Sequence, residues 1–210
     1  GRRHRLTPRE RRRVEGMASI QRVLTHGTHP VDGVEIELDN NVWLIGDDAE
    51  VVIIDASHQP QVIADAVAGR RVVAILLTHG HRDHIGGAPE LAALTGGPLW
   101  LHPADEPLWN VAHPSVPAPS AVLPPHQRFS VAGIELEVRH TPGHTPGASV
   151  VVAADLGAVF TGDTLFHGGP GATRWDYSSF PQIVESITEN LLTLPEDTVV
   201  HTGHGSDTTI

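Results

Sequence analysis

The apolar run Val72-Val73-Ala74-Ile75-Leu76-Leu77 leads directly into Thr78-His79-Gly80-His81-Arg82-Asp83-His84, and this junction constrains the chain more than any other feature. The run reads as a buried strand. The three histidines and the carboxylate that follow lie within six residues, a density of ligands that is costly to bury unless a cation is bound. His79 and His81 stand two apart, so in an extended segment both rings project to one side. Asp83 and His84 come where the chain turns into a helix expected around Ile85–Leu94. The arrangement can place ligands for two metals, one drawing on His79 and His81, the other on Asp83 and His84.

A metal with open coordination positions usually has three or more protein ligands, and three later segments offer them. Thr141-Pro142-Gly143-His144-Thr145-Pro146-Gly147 is a stiff Pro/Gly loop holding one histidine. Asp163 follows the apolar run Ala158-Val159-Phe160, and His204 follows Val199-Val200. Each candidate sits in a glycine-containing loop after a strand-like segment, where the backbone can turn sharply and pass close to an ion. Loops at one edge of a rigid sheet are where functional residues concentrate.

In this order, His79, His81, Asp83, His84, His144, Asp163 and His204 resemble the metallo-β-lactamase-fold hydrolases, and within them the short glyoxalase II-like (hydroxyacylglutathione hydrolase-like) branch. The resemblance spans roughly residues 34 to 210. It implies a single-domain α/β protein, a four-layer αββα sandwich with a dinuclear site at one edge. His79, His81 and His144 would hold the first metal, Asp83, His84 and His204 the second, and Asp163 would bridge them. The expected cofactors are two divalent ions, zinc first, with iron or manganese as alternatives.

Two such ions can share a hydroxide, because metal binding lowers the pKa of water to about 7. That supplies a metal-bound hydroxide as nucleophile at neutral pH, and Asp83 could orient it or shuttle its proton. The chain has no cysteine, which excludes a thiol nucleophile and a Cys-based zinc site. The leading function is therefore hydrolysis of a small ester-like substrate, a thioester first. The alternatives are a mononuclear iron persulfide dioxygenase using His79, His144 and Asp163, a lactonase, and a non-enzymatic binding member of the fold.

The substrate pocket is less legible. His167, Arg174, Tyr177 (the sole Tyr) and Trp109 are candidate lining residues, with the Pro-rich loop at 111–128 expected to form one wall of the pocket and Trp109 an apolar surface of it. Relatives commonly carry Gly-Arg-Thr-Asp after the Gly-Asp motif. Here the chain reads Gly168-Gly169-Pro170-Gly171-Ala172-Thr173-Arg174, which puts glutathione recognition in doubt. Among the other histidines, His4, His26, His29 and His58 have no ligand-like company and read as surface residues. His102, His140 and His201 read as structural, and Asp55 as a strand-end carboxylate supporting a neighbouring loop.

Charge is unevenly spread. Seven of the 14 basic residues, all Arg, fall within the first 13 positions, so residues 17–210 carry a net −16. Such a body is not a nucleic-acid binder by charge. Residues 1–16 read as a basic disordered tail or leader, and 17–210 as the domain. No run approaches the roughly 18 apolar residues of a membrane span. The expectations are a small-molecule substrate, no membrane partner and a cytoplasmic location; the sequence says nothing of oligomeric state. Strands are expected at 34–38, 42–46, 50–54, 72–77, 98–101, 129–139, 149–153, 158–161 and 199–201. Asn40-Asn41 and Asp47-Asp48 read as turns, and helices are expected at 60–68, 104–110 and 180–192.

Overall fold

The computed structural model describes residues 16–31, 33–119, 121–122 and 126–210. The basic segment expected at 1–16 lies outside them except for Gly16. The described residues build two six-stranded sheets. The first has the order β1 (Ser19–Val31), β2 (Val34–Gly46), β3 (Glu50–Ile54), β4 (Arg71–Leu76), β5 (Leu99–Leu101), β6 (Ala121–Val122). The second runs, from edge to edge, β14 (Thr208–Thr209), β13 (Val199–Thr202), β10 (Ala158–Gly162), β9 (Ser149–Ala153), β8 (Ile134–His140) and β7 (Arg128–Val131). A small hairpin, β11 (Leu165–Phe166) and β12 (Gly169–Pro170), stands apart.

Alternation along the strands explains the layers. Val52 and Ile54 of β3 point into the core between the sheets, where they meet Val151 of β9 and Phe160 of β10. Val51 and Ile53 point the other way, onto α1 (Pro60–Val67), α3 (Ala88–Thr95) and α4 (Glu106–Ala112) through Ile63, Leu91 and Trp109. On the second sheet, Val150, Val152 and Val159 face α5 (Phe180–Asn190) through Ile183 and Ile187. The period-two strand pattern thus produces the αββα sandwich.

Four local expectations change. Asn40 and Asn41 do not turn the chain; they sit fully buried inside the 13-residue strand β2. Asn41 is held across the sandwich, its Nδ2 donating to the carbonyls of Thr202 and Gly205 at 3.0 Å each. The strand expected at 129–139 is a hairpin, β7 and β8, turned at Ala132 and Gly133 with φ of 49° and 77°. Two positive φ angles in a two-residue loop match the twist of the flanking strands. The helix expected at 85–94 breaks into α2 (Arg82–Ile85) and α3, because the Gly87 amide turns to donate to Ala56 O at 2.9 Å. Finally β1, which no sequence signal marked, pairs along its whole length with β2.

Strand β4 runs parallel to β3 and β5, and β10 runs parallel to β13; the C-terminal ends of β4, β10 and β13 meet at one rim of the sandwich. The segments after them carry Thr78–His84, Asp163 and His204, and the loop after β8 carries His144.

Candidate metal centre

At this rim the structure brings all seven candidate ligands together. His79 Nε2 and His144 Nε2 lie 3.1 and 3.0 Å from His81 Nδ1. A second group forms beside it, with His84 Nε2 3.1 Å from His204 Nε2 and Asp83 Oδ2 3.2 and 3.1 Å from these two nitrogens. Asp163 lies between the groups, Oδ1 3.2 Å from His84 and Oδ2 3.5 Å from His144. Among the described residues, the triads His79/His81/His144 and Asp83/His84/His204 each bring three donor atoms within 4.8 Å of one another.

The outward nitrogens show why this crowding needs a cation. His84 Nδ1 meets Asp55 Oδ2 at 2.8 Å, His144 Nδ1 the carbonyl of Ala172 at 2.7 Å, and His204 Nδ1 the carbonyl of Asp39 at 2.8 Å. Thr78 Oγ1 donates to Asp55 at 2.9 Å and so accepts from His79 Nδ1 at 3.0 Å. The Tyr177 hydroxyl can accept from His81 Nε2 at 2.9 Å. With each outward nitrogen donating, every inward nitrogen carries a bare lone pair. Five lone pairs and two carboxylates then face each other in a buried space, and Asp163 Oδ1 is buried without a hydrogen-bond partner. Imidazole nitrogens with carboxylate oxygens suit zinc, iron or manganese. The donor set fits divalent ions.

Electrostatics follow the same division. Burial, with the neighbouring His144, lowers His81 to about 3, and burial lowers His79 and His144. Burial also penalises the cations of His84 and His204, but the facing carboxylates outweigh it, holding His84 well above its usual value and His204 at about 10, so that with no ion bound protons sit on the inward nitrogens a metal cation would take over. Asp83 and Asp163 resist burial because the histidines around them favour their charged forms, which keeps both below the carboxylate range.

Supporting residues fix the loops. Asp55, in left-handed backbone at φ 67°, accepts from Thr78 N at 2.7 Å as well as from Thr78 Oγ1 and His84, as a strand-end carboxylate should. Asp105, which no sequence signal marked, is fully buried; Oδ2 accepts from Gly80 N (2.8 Å) and Thr145 Oγ1 (2.7 Å), and Oδ1 from Gly147 N (2.6 Å). It clamps the loop of His79 and His81 to the loop of His144. Burial raises its pKa against those three hydrogen bonds.

Several expected pocket residues fall elsewhere. Trp109 is no pocket wall: it is fully buried under the first sheet, its Nε1 donating to Val116 O at 2.9 Å. An indole of that size fills the space beneath α4 better than it could cover a cleft. His167 is exposed in the small β11–β12 hairpin, and Arg174 is exposed with its guanidinium 5.0 Å over the Trp175 ring. Tyr177 reaches the centre through His81. His29 is not the surface residue expected: its Nδ1 lies 3.0 Å from Asp83 Oδ1. His58 is half-buried, packed on Gly27 of β1. Asn40 Nδ2 donates to the other oxygen of Asp83 at 3.1 Å. The only signal that could have found His29 and Asn40 was the long β1–β2 ribbon, which crosses the rim. His102 and His140 do not ligate; their rings stack 3.9 Å apart, and His140 Nε2 donates to Pro146 O at 2.8 Å.

A two-sheet sandwich with this His/Asp cluster at its rim defines a metallohydrolase. The chain belongs to the metallo-β-lactamase superfamily, whose family model matches residues 36–204. It is 31% identical over 185 residues to hydroxyacylglutathione hydrolase GloC of Haemophilus influenzae, covering 81% of this chain and 87% of that one. It is 33% identical over 186 residues to the probable metallo-hydrolase YqgX of Bacillus subtilis, with the same coverage of both chains. The crystal structure of TTHA1623 in a di-iron-bound form superposes with a TM-score of 0.73 at 33% identity, covering 82% of this chain and 90% of that one. Among the described residues, no helix is long and apolar enough to cross a membrane.

Proposed function

We propose that this chain hydrolyses a small thioester at a two-ion centre held by His79, His81 and His144 on one side, Asp83, His84 and His204 on the other, with Asp163 between. The observation that carries this reading is the inward convergence of five imidazole lone pairs and two carboxylates at a rim open to a cavity. The likeness to GloC, named a hydroxyacylglutathione hydrolase, supports an acyl-thiol substrate. Zinc is the first choice of metal, and the di-iron form of TTHA1623 supports iron as the alternative.

When bound, the ions would lower the pKa of water and polarise the substrate carbonyl. The chain's own residues set the geometry. Asp55 orients His84 through Nδ1, Ala172 O orients His144, Asp39 O orients His204, and Tyr177 anchors His81. Asp83, contacted by Asn40 at one oxygen and His29 at the other, can orient an attacking water and accept its proton. A thiolate leaves without a strong general acid, so a site without one suffices.

The test is thiol release from S-acyl thiols by metal-replete protein, with His144→Ala as control. Release that vanishes in the variant supports the reading. No release from any member, together with oxygen uptake on a persulfide, would replace it with the dioxygenase.

A further inference from the structure

The rim opens into a cavity of about 370 Å³. Pro30 from the β1–β2 ribbon, Leu108, Val111 and Ala112 from α4, and the rings of Trp175 and Tyr177 form its walls; His29 and His81 stand on the side of the metal centre. The Trp175 and Tyr177 rings lie parallel with centroids 6.0 Å apart, and Trp175 also packs 4.5 Å from His81. Val111 is 82% exposed, more than any other large apolar side chain among the described residues, and it faces this cavity. An apolar side chain left that open beside a centre is a surface a ligand can cover.

The charges are as informative as the apolar walls. Among the lining residues Arg82 is the one fixed cation, and its guanidinium lies 3.7 Å from the carboxylate of Glu35. The chain contains no lysine, and residues 17–210 carry a net −16. A glutathione thioester brings two carboxylates, and a coenzyme A thioester brings several phosphate charges. Recognition of either needs clustered cations, and the walls offer Arg82 alone, already beside Glu35, while the Arg174 guanidinium lies over the ring of Trp175 and is not among the lining residues.

We propose that the cavity receives an apolar acyl or arylalkyl group, so that the substrate is selected by its hydrocarbon portion and not by a polyanionic carrier. This rests on the thioester reading and names its substrate class. The volume equals roughly a dozen waters at ~30 Å³ each, enough for a medium-length acyl chain. Carried on the Val111 and Leu108 wall, such a chain would leave its thioester carbonyl beside His81 and the seven-ligand cluster.

The experiment uses the metal-replete chain and two series. The first comprises S-acyl-N-acetylcysteamines from acetyl to decanoyl, with octanoyl also presented on glutathione and on coenzyme A; the second comprises the matching non-hydrolysable S-alkyl thioethers, whose binding is read by calorimetry. The expected result is kcat/KM rising about fourfold per added methylene until the cavity fills, with no advantage for glutathione or coenzyme A. Thioether affinity should rise in parallel. Val111→Glu and Trp175→Ala should flatten both series, chiefly through KM, with metal content unchanged. A flat thioether series, or a tenfold preference for the glutathione or coenzyme A carrier, would overturn the inference. Thioethers that bind with length dependence while no thioester turns over would keep the cavity's assignment and sink the thioester reading instead.

Discussion

Single side chains decide how this centre would hold its ions, and the partners of the candidate ligands are as informative as the ligands. Asp55 Oδ2 accepts from His84 Nδ1 at 2.8 Å and so leaves His84 Nε2 free to point inward. Partners of this kind are worth 10–100-fold in metal affinity. Asp55→Ala should therefore weaken the second ion by about that factor and the first by less, through the Thr78 hydroxyl that orients His79, read by metal analysis after dialysis against a competing chelator. Asn40 is fully buried, donates to Asp83 Oδ2 at 3.1 Å, and has an unpartnered Oδ1. Asn40→Ala removes the donor that fixes Asp83, and the same assay should show second-ion loss of about 10-fold or more. Asp163→Ala removes the carboxylate shared by both groups; activity should fall by more than the ~100-fold typical of outer partners, with lower occupancy of both ions. Normal turnover in that variant would defeat the two-ion reading. The seven clustered candidates were legible in the sequence because each stands in a glycine-containing loop after a strand-like segment. Asn40, Asp105 and His29 were not, because an amide, a carboxylate and an imidazole look ordinary until the topology shows what they face.

Strands and loops carry the next layer of constraint. The loop holding His144 turns through Gly143, whose φ is 142° and whose added Cβ would fall 2.4 Å from the Ile183 amide of α5. Helix backbone cannot give way, so Gly143→Ala should destabilise by about 1–3 kcal/mol, seen as a lower urea midpoint, and loosen His144 with it. His102 stacks on His140 at the foot of the same loop, and burial beside His140 lowers it to about 4. Because its folded pKa lies below the unfolded value of about 6.5, the unfolded chain binds more protons in that window. Stability contributed here is present above about 6.5 and is lost as pH falls towards 4. Denaturant titrations across this range should show the loss, and His102→Asn should flatten it; an unchanged slope would dissociate the stacked pair from stability. Element boundaries were read with uneven success for a physical reason. Period-two apolar runs marked the core strands, but Asn40-Asn41 has turn composition and still lies in a strand, because the carbonyls of Thr202 and Gly205 across the rim satisfy what water would otherwise take. The 129–139 run hid its turn because only the positive φ of Ala132 and Gly133 distinguishes a hairpin from a continuous strand.

The domain as one body couples stability to ions. Seven donors, most of them buried, lie at the junction of both sheets, so ions that bind only the folded form must stabilise it. Chelation should lower the melting temperature, and added zinc should restore it. At an ion concentration 100 times Kd the gain is about 2.7 kcal/mol, and no shift in a scan with and without chelator would contradict the assignment. The αββα class could be read from the order of the motifs, whereas the cavity over the centre could not, since its walls come from segments as far apart as Pro30, Val111 and Tyr177. One joint has a further consequence. Asn41 N donates to Gly203 O at 2.8 Å, and the ring of His204 donates to Asp39 O, which ties residues 162 and 165 positions apart. On a ribosome His79, His81 and His144 have all been synthesised sixty residues before His204. All members of the first triad therefore leave the ribosome before the second can be completed, since His204 follows β13. Order of synthesis thus fixes which triad is complete first.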